Sequence, residues 1–150
     1  MGQASLSKSP MISKGFGIVA VVLGFLIAVV PHYVFPVCQY FGVLVQTASG
    51  TYLPMKCYWT AMAEVALGVL IVLAGLLLVV SRQAETRRAL GFLLGALGIV
   101  VVLVPTYLIG VCASPDHPCR IATQPALILL GAVTTIVGII TILTTGGRSS

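Results

Sequence analysis

The fold is decided by Val30-Pro31-His32-Tyr33-Val34-Phe35-Pro36-Val37-Cys38, which returns as Val104-Pro105-Thr106-Tyr107-Leu108-Ile109-Gly110-Val111-Cys112. The shared skeleton, V-P-x-Y-x-x-x-V-C, marks the end of an apolar stretch both times. Upstream of each copy the chain is charge-free, over Gly15–Val34 and over Ala89–Val111. Downstream of each copy a second long apolar stretch follows, Tyr58–Val80 with the single charge Glu64, and Ile121–Thr145 with none. Roughly 20 apolar residues span the hydrocarbon core as a helix, and a backbone in lipid must satisfy its own hydrogen bonds. The expectation is an all-α membrane protein of four transmembrane helices, built as two tandem, parallel-oriented helical hairpins in one domain. The repeat units run from about residue 15 to 80 and from about 89 to 145, behind a loose tail over residues 1–13.

Composition excludes the soluble alternative. Only 7% of the residues are charged and 59% are hydrophobic, whereas a soluble domain carries about a quarter charged residues. The net charge of +5 is a topology signal rather than a nucleic-acid footprint. Lys8, Lys14, Arg82, Arg87, Arg88 and Arg148 fall on one side of the four spans, and only Lys56 and Arg120 on the other. The positive-inside rule then places both termini and the Ser81–Arg88 link in the cytoplasm. The expected location is the plasma (inner) membrane, multi-pass. The first apolar run exceeds a secretory h-region and lacks a small-residue cleavage site, so it reads as an uncleaved span.

The repeat extends beyond its signature. At an offset of 74, Gly17, Leu23, Gly24, Pro31, Tyr33 and Cys38 match Gly91, Leu97, Gly98, Pro105, Tyr107 and Cys112; at an offset of 63, Thr60, Ala63, Gly68 and Gly75 match Thr123, Ala126, Gly131 and Gly138. The relation expected between the units is a pseudo-two-fold axis along the membrane normal. The glycines recur at sevens, two helical turns, so each series lies on one face. Small residues on one face let membrane helices approach closely. Within the first outer loop, expected over Phe35–Cys57, Ser49-Gly50 reads as a turn. Tyr33, Tyr107 and Trp59 read as interface anchors.

Four cysteines, Cys38, Cys57, Cys112 and Cys119, fall on the outer side. That is the oxidising side, where disulfides persist. Three pairings exist; the repeat favours Cys38–Cys57 and Cys112–Cys119, each stapling its own loop. The alternative is thiol-redox or metal chemistry. Met55, Cys57, Cys38, His32 and His117 are soft or borderline ligands of the kind copper(I) accepts, but neither C-x-x-C nor zinc spacing is present. No cofactor and no resident metal is expected.

Glu64 lies about two turns inside the second helix, on the face of Gly68, Ile71 and Gly75. A carboxylate at that depth is costly unless it faces the bundle interior and finds a partner. His32 is the candidate partner, and Gln124 a further one. The repeat supplies an internal control: His32 corresponds to Thr106 and Glu64 to Leu127. The first unit carries an intramembrane polar site, His32 with Glu64, that the second lacks. It serves either a function or a packing hydrogen bond.

Met55-Lys56-Cys57-Tyr58-Trp59-Thr60-Ala61-Met62-Ala63-Glu64 resembles an uncharacterised family of small four-helix prokaryotic membrane proteins with an outer Met-x-Cys-x-Trp-Thr motif, whose members often neighbour ABC-type permeases. In that family histidine tends to follow the second cysteine, where this chain has Tyr58, which weakens a metal role. The resemblance implies no activity, only partnership with a transporter. The expected function is therefore non-enzymatic: an accessory or structural subunit packing against a membrane partner such as a permease. The alternatives are the thiol-redox or metal-handling protein using the outer cysteines with His32 and Glu64, and a small oligomeric transporter or channel using Glu64. Expected partners are the lipid bilayer and a membrane protein or a second copy, with no nucleic acid.

Overall fold

The computed structural model describes residues 9–34, 44–46, 48–50, 52–54, 56–111, 116 and 119–146. Helix α1, Ser9–Val29, runs into a π-helical turn, Val30–Val34. Two short strands, β1 (Leu44–Gln46) and β2 (Tyr52–Pro54), pair antiparallel with Val45 opposite Leu53. Helix α2, Lys56–Val80, follows. Helix α3, Ala84–Leu103, again ends in a π-helical turn, Val104–Leu108. A third such turn, Cys119–Thr123, leads into α4, Gln124–Gly146. Four helical spans, Lys14–Val34, Lys56–Val80, Ala84–Leu108 and Cys119–Thr145, are long and apolar enough to cross a membrane. The chain is a multi-pass membrane protein.

The element ends differ from the sequence expectation where polar residues prolong a helix. Helix α1 begins at Ser9, inside the stretch expected to be a loose tail. Helix α3 begins at Ala84, so Glu85, Arg87 and Arg88 occupy its first turns and the link shrinks to Ser81–Gln83. Alanine, glutamate and arginine are strong helix formers, and Glu85 in the first turn suits the positive end of the helix dipole. Hydropathy sees the lipid-crossing part of a helix and not this extension. Arg87 Nε donates to the Ser81 carbonyl at 3.0 Å, closing the link. Cys57 and Cys119 also lie within helical first turns rather than in loops. The turn expected at Ser49-Gly50 is present, with Gly50 at φ 79°, a left-handed conformation that glycine adopts without cost. The strands it joins were not anticipated, being too short to carry a periodic pattern.

Pro31 and Pro105 explain the two matching π-helical turns. A proline inside a helix lacks the N–H that its i−4 carbonyl would accept and its ring crowds that carbonyl. Widening to i→i+5 bonding accommodates one turn of this kind. Thr106 Oγ1 helps by donating to the Val102 carbonyl at 2.7 Å.

The helices pack in antiparallel pairs through their glycines. A Cβ added at Gly24 would stand 2.7 Å from the Gly68 carbonyl, and one at Gly75 would stand 2.9 Å from the Gly17 carbonyl. In the other pair, a Cβ at Gly98 would stand 2.8 Å from the Gly131 carbonyl and one at Gly138 would stand 2.7 Å from the Gly91 carbonyl. Backbones touch at these points, so glycine is required there by close approach. The two pairs then bury their facing sides in one core that includes Ala20, Ile27, Ile71, Leu78, Leu94, Val101 and Leu127. Burial repeats with the sequence: Thr60 and Thr123, Glu64 and Leu127, Ile71 and Thr134, and Leu78 and Thr141 are all buried at an offset of 63.

Candidate functional site

Helix α2 positions the site. Cys57, Ala61, Glu64, Gly68, Ile71, Gly75 and Leu78 are all buried along it, and their alternating steps of three and four residues keep one face inward. Glu64 stands eight residues into the helix, about 12 Å along its axis at 1.5 Å per residue. It is 0% exposed, and both its carboxyl oxygens are buried without a hydrogen-bond partner. Thr60, one turn toward the outer end, donates from Oγ1 to the Gly110 carbonyl at 2.8 Å. Ile71, two turns the other way, joins the core with Leu94, Val101 and Leu127. Glu64 therefore faces the junction between the two helix pairs, on the side that α2 turns toward α3 and α4.

His32 shares its depth. A Cβ at Gly68 would stand 2.9 Å from Ala28 Cβ, which aligns Ala28 with Gly68 in the antiparallel pair. Four residues further along each helix, His32 reaches the level of Glu64. The histidine occupies the π-helical turn and is half-buried. Its Nδ1 is buried and, like the carboxyl oxygens of Glu64, has no hydrogen-bond partner. The two side chains expected to pair are thus brought to one layer but do not bond. Gln124 does not reach Glu64 either; its Nε2 donates to the Pro105 carbonyl at 3.5 Å. In the second unit Thr106 satisfies its own hydroxyl on the helix backbone, and Leu127 fills the position of Glu64 at 0% exposure.

The layer is chemically uneven. An ionised carboxylate in an apolar surrounding with neither counter-charge nor hydrogen bond costs several kcal/mol. Leu127 holds the equivalent place in the second unit at 0% exposure, so the cost is not a requirement of the fold.

The cysteines lie at the outer end of the same face. Cys57 and Cys119 are each 1% exposed and share a buried cluster with Ala61. Cys38 and Cys112 lie outside the described residues, and with them one member of each expected pairing. Of the soft-ligand set, Met55, Cys38 and His117 also lie outside them. Among the described residues no group of three or more His, Cys, Asp or Glu side chains is placed to share a metal ion.

One feature of this end escaped the sequence reading. Cys57 precedes Thr60 by three residues, whereas Cys119 precedes Thr123 by four. The additional residue sits in the π-helical turn Cys119–Thr123. Single-residue insertions in helices are absorbed in this way, and the wider turn keeps Cys119 on the buried face. The signal was present as a one-residue break in the repeat. At the rim, Tyr33, Trp59 and Tyr107 are exposed, where their amphipathic rings suit a lipid headgroup layer.

One family model, described as a domain of unknown function, DUF4418, matches residues 20–144. No curated protein and no solved structure matches the chain.

Proposed function

The chain belongs to the DUF4418 family, and from that premise we propose that it is a non-enzymatic integral membrane protein, an accessory or structural subunit that packs sideways against a membrane partner such as a transporter permease. The observation that carries this reading is the solid interior. Ile27, Ile71, Leu78, Leu94, Val101 and Leu127 fill the junction between the helix pairs, and glycines bring backbones into contact within each pair. A solute path along the centre would have to part groups already at van der Waals distance. The outer sides, by contrast, present Phe25, Leu77, Phe92, Leu129 and Leu143 to whatever surrounds the bundle. Bilayer lipid and a membrane-protein neighbour, or a second copy, are the partners such sides accept.

The proposed setting is the plasma membrane, with both termini and the Ser81–Gln83 link on the cytoplasmic side. The helix pairs are proposed as two tandem hairpins of one orientation about a pseudo-two-fold axis. The test is isolation from its own membranes in mild detergent after crosslinking in place. The subunit reading expects a complex larger than one 15.6 kDa chain; a lone monomer with no crosslinked neighbour removes it.

Glu64 favours a second reading, a small oligomeric transporter or channel working through this carboxyl. Its two unpartnered oxygens supply the reason, since polar groups kept inside a membrane at a cost mark function more often than structure. A Glu64→Gln variant that changes no ion or proton flux in reconstituted vesicles removes this reading.

A further inference from the structure

Helix α2 carries its carboxyl to the turn of the first helix that carries the histidine, and on the facing side. A Cβ at Gly68 would stand 2.9 Å from Ala28 Cβ, so these two positions mark the line along which the helices touch. Glu64 lies four residues before Gly68, and His32 four residues after Ala28. Four residues return a helix to nearly the same face. In this antiparallel pair both side chains therefore fall near the contact line, one turn closer to the outer end. The π-helical turn Val30–Val34 packs against α2 there. Glu64 is 0% exposed, and its two carboxyl oxygens and His32 Nδ1 are buried without a hydrogen-bond partner.

The polar side chains that the repeat places nearest are engaged elsewhere. Gly110, at φ 78°, bends the chain leaving α3 inward where the first unit has Pro36, and its carbonyl accepts from Thr60 Oγ1 at 2.8 Å. Thr106 donates to its own helix, and Gln124 to the Pro105 carbonyl. Titratable side chains are distant along every packed element. The sequence has none between Lys14 and His32, between Glu64 and Arg82, between Arg88 and Tyr107, or between Arg120 and Arg148. Tyr33 and Tyr107 face outward, and Lys56, Cys57 and Tyr58 lie at the outer end of α2. Two carboxyl oxygens and one imidazole nitrogen are too few for a hard metal ion, which takes about six or more oxygens. They suffice for a proton. His32 is half-buried with Nδ1 on the buried side of its ring, next to Tyr33 at the rim. The opposite direction is filled by Ile71, Leu78 and Leu94.

We propose that Glu64 and His32 are a proton-exchange pair, in which the imidazole loads and unloads the buried carboxyl from the outer side. The proposal goes beyond the subunit reading and, unlike the transporter reading, requires no flux across the bilayer. In the loading step a proton from outer water binds Nε2 of the neutral ring while the Nδ1 proton moves to a Glu64 carboxyl oxygen. The carboxylate charge is cancelled, and the ring is left neutral with its proton on Nε2. A turn of either side chain about its own bonds, or one bridging water, completes the hydrogen bond through which the proton moves. The reverse sequence empties the site.

The experiment uses the full-length chain in lipid films under infrared spectroscopy, with the Glu64→Gln spectrum subtracted so that the Glu64 carboxyl is isolated. A carboxylic-acid C=O band is expected in mildly acidic buffer, shifting as soon as the medium is changed to D2O. His32→Thr installs the residue that the second unit carries in the same turn, at Thr106. There the band should persist and its shift should slow by roughly 100-fold or more, the scale on which a positioned side chain speeds proton transfer. His32→Gln, polar but without a proton to relay, should behave alike. No acid band in any buffer, a band that never shifts in D2O, or a shift as fast in both His32 variants as in the wild type each overturns the proposal. A Glu64→Gln variant with unchanged flux removes the transporter reading and leaves this one standing.

Discussion

Replacing Glu64 by leucine gives the first unit the residue that the second already has at Leu127. The two positions are equivalent in the repeat and equally buried, both at 0% exposure. Leucine there removes two carboxyl oxygens that have no hydrogen-bond partner. A buried polar group left unsatisfied costs about 1–3 kcal/mol, and the apolar replacement of similar size keeps the interior filled. Glu64→Leu should therefore raise stability by about 1–3 kcal/mol, a shift of about 5-fold to about 160-fold in the folded-to-unfolded ratio. Glu64→Gln retains an unsatisfied polar group and should stay within about 1 kcal/mol of the wild type. The assay is SDS titration in mixed micelles, followed by fluorescence of Trp59, the one tryptophan in the chain. Trp59 sits on α2 five residues before Glu64 and reports on that helix. A loss of about 1 kcal/mol or more in Glu64→Leu would refute the reasoning, because it would mean that the carboxyl is held by a stabilising bond. A gain would show that the chain keeps a destabilising residue where its own repeat offers the alternative, as functional sites commonly do.

Other consequences follow from close contacts. Gly98→Ala would put a Cβ 2.7 Å from the Thr135 nitrogen and 2.8 Å from the Gly131 carbonyl, so α3 and α4 must separate, and the same SDS titration should show a loss of about 1–3 kcal/mol. Gly95→Ala, one turn away with open space at its Cβ, should be neutral or stabilising by up to about 1 kcal/mol through helix propensity. Thr60→Val keeps the shape of the side chain but orphans the Gly110 carbonyl; a loss of about 1–3 kcal/mol is expected, and faster hydrogen exchange at the outer end of α2 should accompany it.

How much could be read in advance depends on the range of the interaction. Four spans were legible because lipid demands length and apolarity from every crossing segment. The glycine series were legible because two-turn spacing selects one face, and Gly17, Gly24, Gly68 and Gly75 do meet across α1 and α2. The inward direction of Glu64 followed from the same face. Its surroundings did not. His32 was placed at the correct depth, but depth along a helix says nothing about rotation around it, and the two groups do not bond. Helix starts at Ser9 and Ala84 were missed because helix propensity continues past the lipid boundary. The inward bend at Gly110 and the additional residue before Thr123 were visible only as departures from the repeat. Their meaning required the Thr60 hydrogen bond and the π-helical turn.

The proposed role as a lateral subunit is tested most directly by photo-crosslinking in native membranes, one position at a time. A photoreactive residue at Phe92, 72% exposed on α3, or at Leu129 on α4, also exposed, should capture one protein neighbour from a defined side of the bundle. The same residue at Phe25 or Leu77, exposed on the other pair, maps the remaining sides. A neighbour captured reproducibly from one side and not from the others is the predicted result. Capture of lipid alone from every outward position would contradict it.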